Sequence, residues 1–262
     1  MGFQLRQQGL FLSKIGMVNI VLHRPVLGTI KTCTVKRTPT NKWFVYFSCE
    51  TERPQPLPKT DRIVGIDLGL ITYIQCSDGT KIDKPRFFKN EQKALTQAQR
   101  RFSKTKSKPH RKVVAKIHER IRNKREDFCH KASKKLVDKY DLIAHEDLNI
   151  KGMLEQKKFS ESISDASWST LISFLTYKAE SAGRTVRAVD PRGTSQRCSQ
   201  CGATVSKDVT VRVHVCTHCG LKMSRDLNAS INVLRLGLES VERPMPRRKA
   251  KAVGKVQGSP RL

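Results

Sequence analysis

Two Cys-x-x-Cys pairs, Cys198/Cys201 and Cys216/Cys219, stand fourteen residues apart, and each is followed directly by glycine, Gly202 and Gly220. Each such turn aims two sulfurs at one point, so two of them supply four thiolates at about 2.3 Å around a tetrahedral zinc ion. The spacing predicts a closed, structural Zn2+ site in a zinc ribbon over residues 194–222. Redox chemistry is the rival reading, but a thioredoxin-like motif needs one pair rather than two. His214 and His218 lie inside the segment, yet four sulfurs already complete the sphere. Cys33, Cys49, Cys76 and Cys129 are scattered, which argues against a disulfide framework.

Charge is the second constraint. The 262 residues carry 51 Lys and Arg against 23 Asp and Glu, a formal charge of +28. A surplus of this size calls for a polyanion, and nucleic acid is the usual partner. The excess concentrates between Arg100 and Lys135, where fifteen Lys or Arg meet three acids, Glu119, Glu126 and Asp127. A solvated helical face and a phosphate-neutralising face both fit that run. If six to ten phosphates are contacted, log affinity falls against log salt with a slope of roughly −5 to −9. Such contacts position the partner without reading its sequence. No apolar run approaches the roughly 18–20 residues of a membrane span, and the Met1 region lacks the apolar core of a signal peptide. A soluble, cytoplasmic protein with no membrane partner is expected.

Hydrophobic periodicity divides the chain. Strands are predicted at Val18-Ile20-Leu22, Thr32-Thr34-Val35 and Trp43-Val45-Phe47, and three prolines between Arg53 and Pro58 set a boundary. Residues 1–58 are thus read as a first segment. Ile63–Gly69, Leu70–Cys76 and Lys81–Phe88 predict a three-stranded antiparallel meander. Val114, Ile117, Ile121, Phe128, Ala132 and Leu136 recur at helical spacing, so 91–139 reads as two long basic helices joined by a loop at Ser103–Pro109. A strand at Tyr140–Leu148, a helix from Trp168 stopped at Gly183, a strand at Thr185–Val189 and a last helix at Leu227–Leu238 complete an α/β domain over 59–242. Residues 243–262 hold seven basic residues and no acid and are expected to be a disordered basic tail.

Three acids stand where apolar bulk is expected: Asp67 inside a β-run, Glu146 at the end of another, and Asp226 opening the final helix. Each alone reads as easily as a turn or salt-bridge residue. Together, carboxylates meeting at neighbouring strand ends repel one another until Mg2+ or Mn2+ neutralises them. The chemistry predicted is two-metal phosphodiester hydrolysis, which needs no nucleophilic side chain. Asp61, Asp78, Asp147 and Asp165 are assigned to solvated turns or a supporting shell. Asp147 neighbours Glu146, but strand alternation points the two to opposite faces.

Residues 65–69 (Gly-Ile-Asp-Leu-Gly), 145–149 (His-Glu-Asp-Leu-Asn), 194–202 (Thr-Ser-Gln-Arg-Cys-Ser-Gln-Cys-Gly) and 225–230 (Arg-Asp-Leu-Asn-Ala-Ser), in that order, resemble the OrfB/TnpB-type proteins of insertion sequences. That family is similar to the type V CRISPR effectors and carries a ribonuclease H-like (RuvC-like) nuclease interrupted by a zinc ribbon. The resemblance implies a transposon-associated, RNA-guided DNA endonuclease with guide RNA and DNA as partners. It assigns Asp67, Glu146 and Asp226 to catalytic metal and Cys198, Cys201, Cys216 and Cys219 to zinc. Family members usually begin with a longer region that completes a β-barrel and inserts a helical lobe. Against that pattern the chain is expected to be N-terminally truncated, with residues 1–58 as a partial, wedge-like barrel. The alternative function is a non-cleaving nucleic-acid-binding remnant or regulator of a full-length relative. A zinc-ribbon transcription or ribosomal protein is a third reading, which leaves the acids unexplained.

Overall fold

A computed structural model describes residues 2–155, 160–208 and 210–242; the basic tail expected at 243–262 lies outside them. In chain order the strands are β1 (Phe3–Arg6), β2 (Gly9–Leu12), β3 (Gly16–Val18), β4 (Thr29–Arg37), β5 (Trp43–Glu50), β6 (Ile63–Leu68), β7 (Thr72–Cys76), β8 (Lys81–Asp83), β9 (Leu142–Glu146), β10 (Thr185–Val189), β11 (Val213–Val215) and β12 (Lys222–Ser224). The helices are α1 (Phe87–Thr105) and α2 (Lys108–Lys139) between β8 and β9, α3 (Ile150–Glu155), α4 (Ser160–Ala166) and α5 (Trp168–Ser181) between β9 and β10, and α6 (Arg225–Glu242) after β12. No helix among the described residues is long and apolar enough to cross a membrane.

The centre is a five-stranded sheet in the order β8-β7-β6-β9-β10. β6, β7 and β8 form the antiparallel meander, while β9 runs parallel to β6 and β10 parallel to β9. Val64, Ile66 and Leu68 of β6 and Ile143 of β9 meet Cys129, Ala132 and Leu136 of α2 and Leu171 and Leu175 of α5 in the main core. The opposite face packs Ala144 and Val189 against Val233 of α6. Both faces of β6 and β9 are therefore covered, which explains why their sequences are apolar without strict alternation.

The first fifty residues build two small sheets, β1-β2-β3 and the β4-β5 ribbon. The strand expected over residues 18–22 ends at Val18, because among the described residues no strand pairs with its continuation, where Val21 is 92% exposed. The β4-β5 ribbon rests on α2 through Glu119, which accepts hydrogen bonds from Thr40 Oγ1 at 3.1 Å and Lys42 Nζ at 3.0 Å. The proline-rich segment is held to the central sheet by one polar hub. Asp141 accepts the amides of Thr60 and Asp61 and pairs with the buried guanidinium of Arg184, which also donates to Pro58 O at 2.6 Å.

The strand expected over residues 81–88 stops at Asp83. Pro85 has no amide to extend a ladder, and the amide of Phe88, in the first turn of α1, donates to Asp165 Oδ1 at 3.1 Å. Asp165 is consequently not a solvated turn residue: it is 9% exposed and binds Arg125 of α2 at 2.8 Å. The loop between the two long helices is also shorter than expected. Lys106 takes the left-handed conformation and donates its amide to Phe102 O, so α1 ends there and α2 begins at Lys108 with Pro109 in its first turn. Leu95 and Ala98 of α1 pack against Ile117 and Ile121 of α2.

Candidate nuclease site

Gly65 pairs with Ala144 and Ile66 with His145 across the parallel strands β6 and β9. One step further stand Asp67 and Glu146. Parallel strands lie about 4.8 Å apart and in-register side chains share a face, so these two carboxylates are neighbours. The face is fixed by Gly65, where a Cβ would lie 2.2 Å from Ser230 O and 2.4 Å from Leu234 N. α6 therefore crosses directly over β6, and any side chain at position 65 would push it off. Gly65 lies two residues before Asp67 on the same strand face, and Ser230 lies one helical turn after Asp226. The third carboxylate is thereby brought over the ends of β6 and β9, in the first turn of α6, where the helix dipole favours negative charge.

Electrostatics report the same convergence. Burial first, then the charges of Glu146 and Asp226, push the Asp67 carboxyl up to about 8, partly offset by Arg225. Burial also raises Glu146, opposed by the hydrogen bond from Thr194, whose Oγ1 donates to Glu146 Oε1 at 2.5 Å. Asp226 Oδ1 accepts Arg225 Nη2 at 3.2 Å. Three half-buried carboxylates with one neighbouring guanidinium form an oxygen-only donor set of the kind hard divalent cations take. The carboxylates are more widely spread than the cysteines: among the described residues, only the four sulfurs form a group of metal donors lying entirely within 4.8 Å. Asp147 is exposed beside half-buried Glu146. Asp78 accepts hydrogen bonds from Lys139 Nζ and Tyr140 Oη at the far end of the meander, where these partners hold its carboxyl well below the usual range despite burial.

The ribbon is built from two equivalent knuckles. The Gly202 amide donates to Cys198 O and the Gly220 amide to Cys216 O, both at 3.0 Å; the Cys198 amide donates to Ala203 O and the Cys216 amide to Leu221 O, both at 2.8 Å. Gly202 and Gly220 take φ of 78° and 74° with nothing within 4 Å of a built Cβ, so glycine is required by conformation, not by space. Sγ atoms of Cys198 and Cys219, and of Cys201 and Cys216, lie 3.6 Å apart. Tetrahedral zinc at about 2.3 Å from each sulfur implies edges of about 3.8 Å, so the four cysteines fit the ion. Burial opposes ionisation of Cys198, but the amides of Cys201 and Gln200 together with hydrogen bonds from His214 and Cys219 outweigh it and bring the thiol to about 5. His214 is buried on β11, where its Nδ1 faces Lys207 Nζ.

Sequence reasoning missed the polar row that ties ribbon to helix. Asn228, Asn232 and Arg235 recur on one face of α6. Asn228 Oδ1 accepts the Ser199 amide at 2.9 Å, its Nδ2 donates to Arg197 O at 2.8 Å, and Arg235 Nη2 donates to Ser199 O at 2.5 Å. Two asparagines four residues apart in an otherwise apolar amphipathic helix were the available signal.

Comparisons with known proteins match two stretches of the chain. Residues 46–157 match the family model OrfB_IS605, described as "Probable transposase", and residues 168–233 match "Cas12f1-like, TNB domain". A Streptomyces pristinaespiralis protein named "Putative RNA-guided DNA endonuclease" is 36% identical over 182 residues, 67% of this chain and 45% of that protein. Over these residues the chain is similar to the OrfB/TnpB family. Another relative, "Putative RNA-guided DNA endonuclease InsQ" of Escherichia coli (strain K12), is 30% identical over 230 residues, 79% of this chain and 57% of its own length. The chain thus spans about half the length of these curated relatives. Its α/β fold is shared with Cas12f1 in a complex with sgRNA and target DNA, at a TM-score of 0.51 and 19% identity over 76% of this chain and 55% of that one. A CRISPR-Cas12f ternary complex gives 0.53 and 17% over 74% and 42%.

Proposed function

We propose that this chain is a transposon-associated, RNA-guided DNA endonuclease of the OrfB/TnpB family that hydrolyses phosphodiester bonds at Asp67, Glu146 and Asp226. The observation that carries the reading is the convergence of those carboxylates at the ends of β6 and β9 beneath the start of α6. The strand order, three antiparallel strands followed by two parallel ones on the other side of β6, supports a ribonuclease H-like (RuvC-like) domain with the α1-α2 pair inserted between β8 and β9. The three acids would hold Mg2+ or Mn2+, which would supply charge neutralisation for the phosphate and an activated water. Asp67 and Glu146 fix the anchoring oxygens on rigid strands, Thr194 orients Glu146, and Arg225 limits the build-up of negative charge beside Asp226. The four cysteines hold structural Zn2+.

Purifying the chain with its bound RNA, sequencing that RNA and presenting complementary DNA tests the proposal. Cleavage is expected with Mg2+ and not when Mg2+ is omitted. Binding of RNA or DNA with no product in Mg2+ or Mn2+ would instead assign the chain to the class of non-cleaving binders.

Nucleic acid is expected at the far end of the α1-α2 pair. Between Arg100 and Lys116 stand eight Lys or Arg and no acid. Nearer the sheet several cations are paired with acids: Arg120 and Lys124 with Glu91, Arg125 with Asp165, Lys131 with Asp127 and Lys134 with Asp138. Neutralising Lys104, Lys108, Arg111 and Lys112 to Gln is expected to flatten the slope of log affinity against log salt by about 0.9 for each phosphate no longer neutralised. Neutralising Lys131 and Lys134 is expected to leave it nearly unchanged. Equal slopes in the two variants would show that the charge acts only as a diffuse field.

A further inference from the structure

Thr194 is assigned no role by sequence reasoning, yet its hydroxyl donates a hydrogen bond to Glu146, at 2.5 Å, and the residue is only 4% exposed. Its position is built rather than incidental. Thr194 O accepts Asn232 Nδ2 at 2.8 Å, and the same amide group reaches Arg197 O at 2.7 Å. The turn beneath is closed by the Arg197 amide on Gly193 O at 2.8 Å. Thr194 is thereby locked to α6, the helix that carries Asp226, while its hydroxyl reaches across to Glu146 at the end of β9.

A threonine hydroxyl has one proton, and two acceptors compete for it: Glu146 Oε1 and Pro191 O, the latter at 2.9 Å. A bond to an ionised carboxylate is shorter and about twice as strong as one to a neutral carbonyl, and the shorter contact here is to Glu146. One carboxylate oxygen is then engaged, and the other stays available to a cation. Partners of this kind orient a ligating carboxylate, and losing them typically costs 10–100-fold in metal affinity or activity.

We propose that Thr194 is the positioning residue for Glu146, fixing that carboxylate in the orientation in which it ligates a divalent cation. The inference rests on the carboxylate-site reading above. It makes the entry to the ribbon part of the nuclease site: the same short segment leads from Glu146 through Thr194 to Cys198.

The test is Mn2+ binding, followed by electron paramagnetic resonance, on the zinc-loaded full chain, alongside the Mg2+ dependence of cleavage. Asp67→Asn defines the background from other Mn2+ sites. Thr194→Val is expected to weaken Mn2+ binding 10–100-fold and to raise the Mg2+ concentration for half-maximal cleavage, with zinc content unchanged. Thr194→Ser, which keeps the hydroxyl, is expected to stay within about threefold of the wild type. Thr194→Ala provides the same readout without a methyl group pressed on the carboxylate, should the valine variant not fold. Wild-type Mn2+ affinity in both the valine and alanine variants, or a serine variant as weak as the valine one, overturns the role of Thr194. A wild-type chain whose Mn2+ binding equals that of Asp67→Asn overturns the carboxylate site itself, and this inference with it.

Discussion

Asp67→Asn is expected to lower cleavage by on the order of 10³-fold or more, the scale seen when one member of a cooperating catalytic set is removed, while binding of RNA and DNA stays within a few-fold. The separation follows from placement. Asp67 lies at the end of β6 under α6, whereas the acid-free run of cations offered to phosphate lies on the α1-α2 pair between Arg100 and Lys116. The same substitution has a second, opposite effect on stability. Burial and the neighbouring acids raise the Asp67 carboxyl from its ordinary 3.8 to about 8. Between those values the folded chain holds a proton that the unfolded chain has released, so stability is greatest below about 4 and is lost as pH rises towards 8. Without added divalent cation, Asp67→Asn should therefore melt above the wild type at pH 8.5, by about 2–4 °C for each kcal/mol recovered, and close to it at pH 4. Added Mg2+ should raise the wild-type melting temperature at pH 8.5 and leave that of the variant nearly unchanged. Undiminished cutting by Asp67→Asn, or identical melting profiles across pH, would remove Asp67 from the site.

Much of this arrangement is legible in the sequence, because the elements that carry it are local. β6 and β9 announce themselves as apolar runs ending in acids, and the ribbon as two Cys-x-x-Cys-Gly turns whose glycines need positive φ. The start of α1 fails at a place where a distant residue decides it. Phe88 starts a helix because Asp165 arrives from seventy-seven positions away to take its amide, and no local signal marks that meeting. Residues 20–22 alternate like a strand, but alternation specifies only a face, and the described residues supply no partner strand. Thr194 is the instructive case for the site. Within its motif it reads as one more polar residue before a cysteine; its function comes from parallel pairing that sets Glu146 beside Val189, so the chain leaving β10 turns back over the carboxylate.

Cys198→Ser is expected to lose zinc and, with it, most cleavage, although no cysteine touches the carboxylates. With one ligand missing, the remaining three sulfurs leave an open position, and a structural site of this kind contributes folding free energy directly. The loss should travel along a defined route. Cys198 is followed by Ser199, whose amide and carbonyl are held by Asn228 and Arg235, and preceded by Arg197, whose carbonyl is held by Asn228 and Asn232. These three side chains sit on α6, within about two and a half turns after Asp226. A loosened knuckle therefore frees both the start of α6, which positions Asp226, and residue 194, which holds Glu146. Zinc stoichiometry by mass spectrometry under native conditions, amide exchange across residues 190–200 and 224–235, and cleavage rate should change together in Cys198→Ser. In Cys33→Ser, on the β4-β5 ribbon, all three should stay at wild-type values. Retained zinc, or lost zinc with unchanged exchange in α6, would break the link between ribbon and carboxylates and leave the knuckles as an independent module.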